Sequence, residues 1–310
     1  SECEWYGITC DSKHNIEMID LADNGLKGTV PYEIKLISKQ LLVLKLGQNE
    51  LTNEEPEDLA WIAELTNLRG LTIQENDFKA DGVPTQIKGL VNLQVLDLSK
   101  NHFHGTLHTS PFKSLRKLKY LSLSGNRFDS HLPRTIAKLP LLEALYIQDV
   151  HLKGDFEFLG LFKKALEVWM DDNPKMEGSI PTTIGDVETL ESLSISNCNV
   201  TGIIPSEIGQ LKSLKQVWLT DNSIVGKVPT QIGELTDLYI LQLESNAMTG
   251  SMPTEVCNIW NETVADSLNF QDITPAGHLL ALSSDCDDND DFECSCCSCC
   301  KDCPTVGIDL

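Results

Sequence analysis

Apolar side chains return along this chain in a fixed beat: apolar-x-x-apolar-x-apolar-x-x-Asn. Typical copies are Leu93, Leu96, Leu98, Asn101 and Leu238, Leu241, Leu243, Asn246. The last position falls at Asn24, Asn49, Asn76, Asn101, Asn126, Val150, Asn173, Cys198, Asn222 and Asn246. Their mean interval is about 24.7 residues, a period that signals stacked structural repeats rather than separate domains. The alternating segment predicts one short strand per coil, with the leucines inward and the residues between them outward. Ten such strands stacked in parallel about 4.8 Å apart make a sheet roughly 48 Å long. Each strand must then turn, which leaves backbone N–H and C=O groups inside. An inward Asn supplies both a donor and an acceptor for them, and stacked copies form a ladder. Cys198 offers only a small thiol in that role, and Val150 offers nothing. The ladder is therefore expected to break at the sixth coil.

Past the ladder position most coils read Leu-x-Gly-x-Ile-Pro, as in Leu26-Lys27-Gly28-Thr29-Val30-Pro31, Gly202-Ile203-Ile204-Pro205 and Gly226-Lys227-Val228-Pro229. Glycine permits a tight bend, the apolar step pairs with the neighbouring coil, and proline starts a short helical turn. The second coil differs. Asn53-Glu54-Glu55-Pro56 reads as a helix start leading into Leu59, Trp61, Ile62 and Leu65. The fourth coil (Gly105-Thr106-Leu107) and the sixth (Gly154-Asp155-Phe156) keep glycine but lack proline, so the side sheet is expected to be irregular there.

The Gly-x-Ile-Pro variant resembles the plant-type extracellular leucine-rich repeats of receptor kinases, receptor-like proteins and polygalacturonase inhibitors. Cys3-Glu4-Trp5-Tyr6-Gly7-Ile8-Thr9-Cys10-Asp11 resembles the end of that family's N-terminal cap, although the cap helix that usually precedes it is missing. The resemblance implies a Cys3–Cys10 bridge, and Trp5 and Ile8 are expected to cover the first coil. The cysteine-rich tail departs from the land-plant cap. It is closer to secreted leucine-rich-repeat proteins of diatoms and related algae. The fold implied is an α/β solenoid, a right-handed superhelix of about ten coils with a parallel concave β-sheet and disulfide-bonded caps. Residues 1–14 would form a partial N-terminal cap, 15–256 the repeats, and 257–310 a C-terminal Cys-rich cap and tail.

Composition adds a compartment and a charge. Of eleven cysteines, Cys3 and Cys10 open the chain and Cys198 stands alone. Cys257, Cys286, Cys294, Cys296, Cys297, Cys299, Cys300 and Cys303 close it. Clustering at the two ends suits an oxidised, secreted protein stapled at its tips. Eight terminal cysteines allow 105 connectivities, and a Cys257–Cys286 pair spanning the cap is one expectation. A thiolate metal cluster is the other chemistry open to Cys-x-Cys-Cys-x-Cys-Cys; the even count and the secreted setting favour disulfides. The acidic run from Asp285 to Glu293 lacks the central Gly and closing Glu of an EF-hand loop and reads as solvated. No signal peptide is visible, and Ser1 reads as a start left after processing. No apolar run reaches the ~20 residues of a membrane span.

With 24 basic and 46 acidic residues the net charge is −22. That charge disfavours nucleic acid and anionic membrane and suits basic partners. Two sequons, at Asn199 and Asn261, are expected to carry N-linked glycans.

The outward strand position four residues before the ladder runs Asp20, Lys45, Thr72, Asp97, Ser122, Tyr146, Trp169, Ser194, Trp218, Gln242. Tyr146, Trp169 and Trp218 thus share one column, and Asp149, Asp171, Asp172, Asp221 and Glu244 lie just past it. Aromatics bordered by acids suit a basic peptide or a glycan. Aromatics also favour strands for their own sake, which is the plainer explanation. His102, His104 and His108 lack a matching carboxylate cluster and read as scattered surface residues. No nucleophile elbow, phosphate loop, dinucleotide fingerprint or zinc-protease helix is present, and no cofactor is implied. The residues point to a non-enzymatic extracellular module presenting its concave face to a protein, peptide or glycan. The alternative is a structural subunit that self-assembles head to tail into a fibril, motivated by the missing cap helix.

Overall fold

The computed structural model describes residues 2–259, 281–283 and 292–293. The chain divides into two compact units, Ser1–Lys153 with Leu161–Ala165, and Gly154–Gly160 with Leu166 onward. Each unit is a leucine-rich-repeat solenoid.

In the first unit the concave strands follow chain order: Ile16–Asp20, Val43–Lys45, Gly70–Thr72, Val95–Asp97, Tyr120–Ser122 and Ala144–Tyr146. All pair in parallel, and their registers place Asp20, Lys45, Thr72, Asp97, Ser122 and Tyr146 in one column. In the second unit Glu167–Trp169, Ser192–Ser194, Gln216–Trp218 and Ile240–Gln242 do the same, aligning Trp169, Ser194, Trp218 and Gln242. A one-residue slip would turn every inward leucine to solvent, so the apolar beat enforces this register. Leu44, Leu71, Leu96, Leu121 and Leu145 are fully buried in the first unit, as are Leu193 and Leu219 in the second. Phe78, Phe103 and Phe128, each two residues past the ladder, fill the first core.

The opposite side is built from short turns that proline begins. Pro31, Pro84 and Pro133 precede the turns Tyr32–Ile37, Thr85–Gly89 and Arg134–Ala137; Pro181, Pro205 and Pro229 precede Thr182–Asp186, Ser206–Gln210 and Thr230–Glu234. Their φ values, from −51° to −73°, are those the pyrrolidine ring imposes. The second coil makes its helical turn as expected, Pro56–Leu59 then Trp61–Glu64, burying Leu59, Trp61, Ile62 and Leu65. In the fourth coil, without proline, the side sheet shrinks to isolated bridges at His104 and no helix forms.

The ladder forms at Asn49, Asn76, Asn101, Asn126, Asn222 and Asn246, whereas Asn24 at the first coil is exposed. Asn76, Asn101 and Asn126 each accept from the next inward N–H of the preceding coil, as in Phe103 N to Asn126 Oδ1 at 3.0 Å. Their amides return to carbonyls, as in Asn126 Nδ2 to Leu98 O at 3.0 Å. The row breaks at Val150, which is fully buried. Phe128 N–H, placed where Phe78 and Phe103 donate, finds no acceptor among the described residues. Cys198 keeps one rung: its thiol donates to Met170 O at 3.0 Å. Burial pushes that thiol up to about 12, so it stays protonated.

At the N-terminal end Cys3 and Cys10 are bridged. Ile8–Cys10 pairs antiparallel with Ile16–Asp20 and occupies the edge of the first coil. Trp5 does not cover that coil, contrary to expectation: it is 66% exposed. It sits in the turn between Glu2–Glu4 and Ile8–Cys10, and the coil is reached by the strand and by Gly7, whose carbonyl accepts from Asp20 N at 2.7 Å. Beyond residue 256, Ala281–Ser283 pairs in parallel with Ile240–Gln242 and Phe292–Glu293 with Gly250–Ser251. Both sheets of the repeat thus gain a strand there. Cys257 is disulfide-bonded. Its expected partner Cys286, together with Cys294, Cys296, Cys297, Cys299, Cys300, Cys303 and the sequon at Asn261, lies outside the described residues.

Candidate binding face

The concave strands of the second unit hold Trp169 and Trp218 two coils apart, with Ser194 between them. Strands two apart are separated by about 9.6 Å, so the indoles meet only because serine leaves the space open. Their ring centroids lie 5.6 Å apart, edge to face. Trp169 Nε1 donates to Ser192 Oγ at 2.8 Å. Ser192 and Ser194 are buried under the rings, and each indole keeps a half-exposed surface.

The acids around this pair are of two kinds. Asp171 is built in: it accepts from Ser194 Oγ at 2.6 Å and from Ser196 N at 2.7 Å. Burial raises its carboxyl above the usual range, the bonds from Ser194 and Ser196 pull it back, and Asp172 raises it further. Asp172 accepts from Asn197 Nδ2 at 2.9 Å and is exposed, as is Asp221; Glu244 is half-buried.

A backbone reason for several of these acids was missed in the sequence. The residue just before each ladder position lies in the left-handed region: Asp23, Gln48, Glu75, Lys100, Asp149, Asp172, Asn197, Asp221 and Ser245 have φ between 48° and 59°. Aspartate and asparagine tolerate that conformation better than most residues. Asp149, Asp172 and Asp221 therefore serve the turn whether or not they serve a ligand. Asp171 and Glu244, one residue earlier, are not explained this way.

Tyr146 belongs to the first unit. There it packs against Tyr120 at 5.2 Å between centroids, and Asp149 is exposed nearby in sequence. Tyr120 was not singled out from the sequence because it lies two residues outside the column read there. Counting the outward position six before the ladder would have found it. On the same face, burial raises Asp97, against bonds from Ser99 and Ser122.

The histidines do not converge. His102 Nε2 faces Asp77 Oδ1 at 3.2 Å, and His104 Nδ1 faces Ala80 O at 2.7 Å. Among the described residues no group of three His, Cys, Asp or Glu side chains is placed to hold a metal ion. None of the described helices is long and apolar enough to cross a membrane. Asn199 is exposed.

Comparison with known proteins agrees with this architecture. Family models described as leucine rich repeat match residues 91–152 and 189–211. A 76-residue stretch is 36% identical to Receptor-like protein kinase 7 of Arabidopsis thaliana, covering 24% of this chain and 8% of the kinase. The ectodomain of the Arabidopsis receptor kinase HAESA, solved with an N-terminally extended IDA peptide hormone, is 27% identical with a TM-score of 0.75. That match covers 84% of this chain and 43% of the receptor chain. A plant ice-binding protein has the same fold, with a TM-score of 0.70 at 20% identity over 97% of this chain and 89% of that one. The chain thus carries leucine-rich repeats similar to those of plant receptor-kinase ectodomains and spans less than half the HAESA chain.

Proposed function

We propose that this chain is a non-enzymatic extracellular recognition module whose concave sheet receives a peptide or protein partner of basic character. The observation that carries the reading is the outward Trp169–Trp218 pair, bordered by Asp171, Asp172, Asp221 and Glu244. Two half-exposed indoles beside a row of serines concentrate the kind of contact area that dominates binding energy. The carboxylates attract lysine and arginine and select against acidic partners. Tyr146, with Tyr120 and Asp149, offers a second aromatic anchor on the first unit. The likeness to HAESA, solved with a peptide hormone, supports a peptide over other ligands. A glycan could stack on the same indoles, but the acids favour a cation over a neutral sugar.

The competing reading, a subunit stacked head to tail, drew on an uncovered first coil. The Ile8–Cys10 strand lies on that edge, which leaves the recognition reading better supported. The test uses synthetic Lys/Arg-bearing peptides and acid-substituted controls, titrated against the full chain by calorimetry. The Trp169→Ala/Trp218→Ala variant is expected to lose at least about tenfold in affinity with unchanged circular dichroism. Equal affinity in that variant, or equal binding of the acidic controls, removes the proposal.

A further inference from the structure

We propose that Asn199 carries an N-linked glycan that shields an exposed aliphatic pair on the side sheet of the second unit. The sequon Asn199-Val200-Thr201 stands where a sugar fits. Cys198 and Val200 are buried on either side, so Asn199 is turned outward between two anchored neighbours. Its Nδ2 donates to Met176 O at 3.2 Å, and a glycosylated amide nitrogen retains one hydrogen with which to keep that bond. Asparagine at 199 has a backbone explanation, since its φ is 52°. The hydroxyl at 201 also has a structural partner, donating to Gly178 O at 3.1 Å, so the sequon itself carries the argument. The residue before the bend glycine is Lys27, Glu177, Val225 or Thr249 in other coils, and of the two threonines only Thr201 has an asparagine two residues before it.

The strand Thr201–Gly202 runs beside Ser223–Gly226, with Thr201 opposite Ser223 and Gly202 opposite Ile224. Continuing that register brings Ile203 up to Val225. These two, 60% and 44% exposed, are the large exposed hydrophobics of the second unit among the described residues. Four residues of chain span at most about 14 Å, within reach of a branched glycan on Asn199. Covering the pair removes an apolar patch that would otherwise invite association. Asn199 lies past the ladder position, whereas Trp169 and Trp218 precede theirs by four residues, so the sugar leaves the indoles open. The bridged Cys3–Cys10 and the oxidised Cys257 fit the compartment in which such glycans are attached.

The test is to secrete the full chain from eukaryotic cells and read the tryptic peptide Met176–Lys212 by mass spectrometry. The measurement is repeated after peptide-N-glycosidase treatment in heavy-oxygen water. A glycan mass is expected, with conversion of residue 199 from asparagine to aspartate on enzyme treatment. Deglycosylated protein is expected to bind several-fold more of a hydrophobic dye, and Ile203→Ser/Val225→Ser is expected to abolish the increase. Thr201→Val removes the sequon while keeping the asparagine, in case Asn199→Gln fails to fold. Secreted protein carrying only the unmodified peptide overturns the modification. Dye binding that does not change when the sugar is removed overturns the shielding.

Discussion

Asn222 makes five hydrogen bonds: its Oδ1 accepts from Cys198 N and Val200 N, and its Nδ2 donates to Ile195, Leu219 and Thr220 carbonyls. One side chain thus satisfies backbone groups in two adjacent coils. Asn222→Ala removes the acceptor for both N–H groups, and each unsatisfied buried group costs about 1–3 kcal/mol. Urea unfolding is expected to show a loss of about 3 kcal/mol for this variant. The cost of a missing rung is visible at Val150, where Phe128 N–H has no acceptor among the described residues. Residue identities also hid a second demand. The carboxylates read as a ligand border include Asp149, Asp172 and Asp221, whose left-handed φ already accounts for a short polar side chain. A sequence shows which residue stands at a position but not the backbone conformation it adopts, so those two causes could not be separated before the coordinates.

At the scale of the element, three bend glycines of the second unit each do two things. Gly202, Gly226 and Gly250 have φ of 73°, 79° and 91°. Each also leaves room for the side chain of the preceding coil: a Cβ on Gly226 would stand 2.9 Å from Ile203 Cγ2, and one on Gly202 would stand 3.0 Å from Ser179 Cβ. Gly226→Ala therefore adds left-handed strain to a close contact. Its unfolding free energy is expected to fall by about 1–2 kcal/mol in thermal or urea melts. Gly89→Ala, where φ is ordinary and a Cβ would meet nothing within 4 Å, is the matched control and is expected to be neutral or slightly stabilising. The bend glycines were legible from the Gly-x-Ile-Pro pattern. That Gly202, Gly226 and Gly250 also make space for a neighbour 23 residues back was not, because it depends on how successive coils stagger.

For the whole molecule the dominant fact is the charge of −22. Attraction of a basic partner over several ångströms is screened as salt shortens the Debye length from ~10 Å at 0.1 M to ~3 Å at 1 M. The association rate of a cationic peptide is therefore expected to fall by about tenfold or more between low and high salt, while its dissociation rate changes little. Surface plasmon resonance across a salt series measures both. A flat association rate would mean that the carboxylates near Trp169 and Trp218 do not steer the partner.

What the sequence determined by itself was the coil. Leucine spacing, the ladder asparagines and the Gly-x-Ile-Pro turn each act on neighbouring residues or on the next copy, so a periodic pattern reveals them directly. It also placed Trp169 and Trp218 in one outward column, because strand alternation converts position into facing. Only the tertiary structure decided which of those outward groups are available. It closed the two indoles over Ser194, tied Asp171 to Ser194 and Ser196, and paired Tyr120 with Tyr146. It also left Trp5 exposed where a cover was expected. The reason is physical: facing is a local property of the backbone, whereas burial and hydrogen bonding depend on side chains one or two coils away.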